Sequence, residues 1–107
     1  MEPDDRPAWD QERASKLIGA RVLIGLTHKR PEGPELEQMF GRVRSAIAGK
    51  GIEVVLEGAR AGETYWLPPH PAAFFPAAPG EYRLRSTGEL VIDPDFLTTW
   101  DIEPPAG

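Results

Sequence analysis

The sequence predicts a mainly β protein: a small barrel or a strongly bent antiparallel sheet, with a short N-terminal helix and a proline-rich strap. Three observations carry this. Short alternating apolar and polar runs recur between glycine-marked turns. Five prolines fall within Pro68–Gly80, too dense for a helix or a central strand. The run Glu81–Asp93 splits into two alternating halves around Ser86-Thr87-Gly88, a hairpin signature with a glycine suited to a left-handed position.

Each element follows from its residues. Asp5 is placed to cap a short helix with Pro7 in its first turn. Trp9, Arg13, Leu17 and Ile18 would then share a face, with Trp9 as the anchor, and Gly19 would end the helix. Residues 20–29 form the first strand, with Val22, Ile24 and Leu26 on one face and Leu23 and Gly25 on the other. Apolar residues on both faces predict a strand covered on both sides, or one bent at Gly25. Arg30-Pro-Glu-Gly-Pro34 reads as a loop.

The segment Glu35–Lys50 supports two readings. Leu36, Met39, Phe40, Val43 and Ile47 make a helical face, giving an α+β alternative with a helix at 35–48. Gly41 and the alternation of Met39, Val43 and Ile47 with Arg42 and Arg44 support a strand instead. The turns that follow, Gly49-Lys50-Gly51 and Gly58–Gly62, bound short strands at 52–57 and 63–67. That spacing favours a meander. Phe74 and Phe75 are expected to pin the strap, and Phe96–Ile102 is the last strand, after a turn at Asp93-Pro94-Asp95.

The chain has 107 residues, 12 bases and 17 acids, with a net charge of −5. That size suggests one soluble domain, with residues 1–7 and 103–107 as flexible ends. There are no cysteines, which excludes disulfide scaffolds, thiolate metal sites and cysteine nucleophiles. The longest apolar run is far too short to span a bilayer, and residues 1–16 lack the pattern of a secretory signal. A cytoplasmic protein of bacterial type with no membrane partner is the expectation. The acidity is not uniform: residues 14–88 carry ten bases and seven acids, while residues 89–107 carry five acids and no base.

Leu67-Pro-Pro, Pro79-Gly-Glu-Tyr-Arg-Leu-Arg-Ser-Thr-Gly-Glu89 and Asp93-Pro-Asp-Phe96 together resemble the carboxy-terminal half of a group of small bacterial proteins. That group has no assigned activity, so the resemblance implies no site residues. The strand order is similar to small SH3-like barrels, which concerns fold and not function.

Candidate chemistry is sparse. His28 and His70 lie in different elements; a site joining them to Glu63 is the one histidine–carboxylate arrangement to consider, against two separate structural histidines. No nucleophile elbow or phosphate-binding loop is present. Asp93 and Asp95 read as strand-end caps, and the Pro68-x-x-Pro71 and Pro76-x-x-Pro79 spacings as parts of a structural strap. No cofactor is expected. On a strand, Arg42 and Arg44 share a face with Phe40, and Arg83 and Arg85 share another. With Tyr65 and Trp66 for stacking, these arginines are the candidate binding residues for an anionic ligand or nucleic acid. The favoured reading is a non-enzymatic β module that binds a protein partner, with a histidine–carboxylate enzyme the least favoured.

Overall fold

A computed structural model describes residues 9–103. The first element among the described residues is a seven-residue helix, α1 (Gln11–Leu17). Its cap is Asp10, whose carboxylate accepts from the Arg13 amide at 3.1 Å. The expected cap, Asp5, and Pro7 lie outside the described residues. Ala14 and Leu17 are buried, and Trp9 packs against the same core. Ile18 departs from the expected face and is 53% exposed, because the helix ends one residue earlier.

An antiparallel meander follows: β1 (Arg21–Arg30), β2 (Gly33–Ile47), β3 (Gly51–Leu56) and β4 (Thr64–Leu67). The loop expected at residues 30–34 shrinks to Pro31-Glu32, since Arg30 already pairs with Gly33. Pro34 stands opposite Lys29, next to that closing pair, where no ladder donor is required of it.

The ambiguous segment is strand β2, not a helix. A helix would gather its apolar residues on one stripe. The strand instead sends Met39 and Val43 into one core and Phe40 to the other face, and leaves Leu36 and Ile47 exposed. Gly41 is required by packing. A β-carbon there would sit 2.8 Å from the Leu56 Cα of β3, closer than non-bonded carbons approach. A register shift between Val43 and Ser45 makes a bulge at Arg44, which increases the local twist.

Four further strands follow among the described residues: β5 (Phe75–Pro76), β6 (Glu81–Arg83), β7 (Leu90–Ile92) and β8 (Phe96–Ile102). The main sheet has the order β4-β3-β2-β1-β8-β5, with β6 and β7 forming a separate two-stranded sheet. The main sheet is bent but not closed, because β4 and β5 are its two edges. The barrel alternative is therefore replaced by the bent sheet. The sheet is also not wholly antiparallel, since β8 runs parallel to β1. Asp95 sets that pairing: its carboxylate accepts from the Arg21 amide at 2.9 Å and its own amide donates to the Arg21 carbonyl at 2.9 Å.

The two faces of the sheet differ. The first carries Val22, Ile24, Leu26, Met39, Val43, Ile52, Val54 and Leu56, covered by Leu17 of α1 and Phe74 of the strap. The strap contains one 3-10 turn (Pro71–Ala73), and the Thr98 hydroxyl donates to the Ala73 carbonyl at 2.9 Å. Phe74 pins it, whereas Phe75 faces outward at 61% exposure, since neighbouring strand residues point to opposite sides. The second face is covered only in part. Leu84 and Val91 of the small sheet pack on Leu23, Phe40 and Leu97. Val22–Leu26 are all buried, but the expectation that β1 is covered on both sides holds only as far as Leu23, since the second face is open at Gly25. No helix among the described residues is long and apolar enough to cross a membrane.

Candidate functional site

Where the small sheet stops short, the second face opens into a groove of about 410 Å³. Its floor alternates along β1 as Leu23, Gly25 and Thr27, since alternate strand residues share a face. Gln38 and Thr99 lie opposite Gly25 on either side, and Leu36 lies opposite Thr27. Gly25 is the low point of this floor. A β-carbon there would meet only the Thr99 methyl, at 3.5 Å, an ordinary contact. The glycine is therefore not demanded by packing; what it leaves is space.

The wall is β6, with Glu81, Tyr82, Arg83 and then Leu84 bordering the groove. Tyr82 is fixed by its hydroxyl, which donates to the Ala78 carbonyl at 2.7 Å. The β6–β7 ladder has hydrogen-bonded pairs at its two ends: Leu84 donates to the Glu89 carbonyl and Asp93 to the Gly80 carbonyl, both at 2.8 Å. Because bonded pairs alternate in an antiparallel ladder, the amides and carbonyls of Glu81 and Arg83 point away from β7. No β7 residue lines the groove, so this unpaired edge is on the groove side. The hairpin is held over β2 by Gln38, whose side-chain oxygen accepts from the Arg85 amide at 2.6 Å. The Gln38 amide takes the Ser86 hydroxyl as acceptor at 3.0 Å. Gly88 has the expected left-handed backbone, φ +81°.

The arginines named from the sequence fall into two groups. Arg42 and Arg44 lie on the second face of the main sheet, away from the groove. Arg42 donates to the Gly19 carbonyl at 3.0 Å, and it stands directly across from Arg21, which pairs with Glu57 at 3.2 Å. Arg44, on the bulge, pairs with Glu53, which also accepts from the Ser45 hydroxyl at 2.8 Å. The hydrogen bond from Arg44, then that from Ser45, holds the Glu53 carboxyl down to about 2. The same carboxylate raises the pKa of Arg44. Arg83 donates to the Gly88 carbonyl at 3.0 Å within its own hairpin, and Arg85 is exposed beside it. Tyr65 packs against the first core, while Trp66 is 39% exposed with the Lys50 ammonium 4.7 Å above its ring.

The histidines are not together. His28 reaches Glu37 at 2.9 Å; Glu37 also pairs with Arg60 at 3.0 Å, and Arg60 with Glu63 at 3.1 Å. The hydrogen bond to Glu63 raises the pKa of Arg60. His70 stacks on Trp100, ring centres 6.0 Å apart. Its Nδ1 and the Trp100 Nε1 are buried without a hydrogen-bond partner. Among the described residues no group of three or more histidine and acidic side chains is placed to hold a metal ion.

Of the candidate binding residues named from the sequence only Arg83 lines the groove; for the rest of the groove the sequence offers Gly25, an interruption in an otherwise apolar strand. That interruption was the available signal. No family model matches the chain, and neither the curated proteins nor the solved structures give a match.

Proposed function

We propose that this chain is a non-enzymatic binding module that takes an extended segment of a partner protein into the groove beside β6. One observation carries the reading: the unpaired backbone of Glu81 and Arg83 borders a groove whose floor has its low point at Gly25. An incoming strand would hydrogen-bond to that edge and place alternate side chains over Gly25, as in strand-addition complexes. Affinity would come from main-chain bonds and preference from the side chain seated on the floor. An exposed edge left unprotected is otherwise an association hazard.

The test is selection of linear peptides from a random library against the folded protein, followed by the Gly25→Val variant. The reading expects selected peptides to bind wild type in extended form and to lose about tenfold or more in affinity for the variant. Peptides that bind both equally would contradict it.

A second reading has its own observation. Arg42 stands beside Arg21 on an open sheet face that also carries Arg44 and Trp66. An anionic ligand or single-stranded nucleic acid could exchange for the internal acceptors there. Oligonucleotide titration at low salt tests it: binding that weakens in Arg42→Gln supports it, and no binding removes it.

A further inference from the structure

A second groove, of about 310 Å³, lies on the opposite flank, between α1 and the proline strap. Its apolar walls are Leu17, Pro71, Phe74, Phe75 and Phe96. Two cations, Arg13 and Lys16, line its mouth. They come from one turn of α1, three residues apart, so they share a side of the helix. Their acidic neighbours do not line the groove. Asp10 pairs with Arg13 at 3.5 Å and Glu12 with Lys16 at 3.7 Å, but all four side chains are largely exposed. Such solvated pairs hold their partners weakly, so among the described residues neither cation is held by a buried acceptor.

The backbone says what kind of ligand. β5 is the sheet edge here, and Ala77 donates to the Asp95 carbonyl at 3.0 Å. Alternation along the ladder makes Phe75–Leu97 the next bonded pair and turns Pro76 outward. Proline has no amide hydrogen to offer, so this edge cannot accept an added strand as β6 can. Recognition at this groove rests on side chains alone: aromatic and aliphatic walls, with positive charge at one end. Phe75 is the most exposed of the large apolar side chains and stands at the groove. Its volume is at the lower end of small-molecule sites, about 300–1,000 Å³.

We propose that the groove between α1 and the strap binds a small apolar anion, a single carboxylate or similar acid on an aliphatic or aromatic body. The acid lies between Arg13 and Lys16, and the body lies against Phe74, Phe96 and Pro71, with Phe75 at the outer rim. This site is separate from the β6 groove and does not depend on it.

The experiment is titration of the folded protein with decanoate, decanol and decylamine, followed by amide shifts across the chain. Decanoate is expected to saturate a site whose shifts centre on residues 13–17 and 74–77. Decanol should bind more weakly and decylamine weakest. Arg13→Gln with Lys16→Gln, both on the exposed helix surface, should weaken decanoate about tenfold and leave decanol unchanged. Phe75→Ala, at an exposed position that the core does not need, should weaken decanoate and decanol alike. Decanoate shifts that do not saturate, that centre on residues 23–27 and 81–84, or that persist in the doubly substituted protein would overturn the proposal. So would equal binding of decanoate and decylamine.

Discussion

The two sides of strand β1 are covered to different extents. Toward the first face it presents Val22, Ile24 and Leu26, each at most 1% exposed beneath the helix and the strap. Toward the second it presents Leu23, then Gly25, then Thr27, and the covering hairpin stops at Leu23. Large side chains on both sides would have made a closed, three-layer body. Small ones on one side leave a stable sheet with an unfilled channel and an unpaired strand edge above it. The packed core is thus concentrated on one face, and the open channel beside β6 is left on the other.

Substitutions can test how separate the two sides are. Ile24→Ala should have the largest effect, about 4 kcal/mol in the range for buried aliphatic truncations, read as a shift of the urea midpoint. Leu84→Ala should cost less, about 2 kcal/mol, because its cluster is small and half open. Its more specific sign is faster amide exchange at Leu84 and Asp93 while β1–β3 stay protected. Equal loss of protection in both sheets would show that the hairpin and the main sheet unfold as one unit.

A smaller effect follows from Glu53 on the second face. Its carboxyl is held at about 2 in the folded chain against an ordinary 4.5. A lowered folded pKa means the contribution is present above pH 4.5 and fades as pH falls toward 2. The stability difference between wild type and Glu53→Gln should therefore be constant near neutrality and shrink across that acid interval. A difference that grows on acidification would contradict the pairing with Arg44 and Ser45. The smallest change in stability is expected for Gly25→Val, neutral or up to about 1 kcal/mol more stable, because glycine is costly within a strand. Loss of peptide binding without loss of stability would be the clearest separation of the two faces.

Much of the fold was legible because strand residues alternate with period two. The last strand runs from Phe96 to Ile102 as the alternation predicts, and the hairpin centres on Ser86–Gly88. Asp93 and Asp95 cap strand ends as their positions suggest: Asp93 accepts from the Gly80 amide at 2.7 Å. What stayed hidden depends on contacts distant in sequence. The parallel pairing of β8 with β1 is fixed by Asp95 and Arg21, 74 positions apart. Local spacing does not encode such a choice. Phe74 and Phe75 look alike in sequence, and only the strap's path decides which is buried. The arginines read as free cations because their acceptors, Gly19, Glu53 and Gly88, are brought to them by turns and register. The groove was the least visible feature, since it is made by where a hairpin stops. The absence of a side chain at Gly25 was its one trace in the sequence.

The most direct test of the binding account is amide hydrogen exchange at Glu81 and Arg83, with and without a selected peptide. Free protein should exchange both rapidly, because neither amide has a partner. Bound protein should protect both while leaving Tyr82 unchanged, since Tyr82 already pairs with Val91. Protection of neither amide at saturating peptide would contradict strand addition at β6.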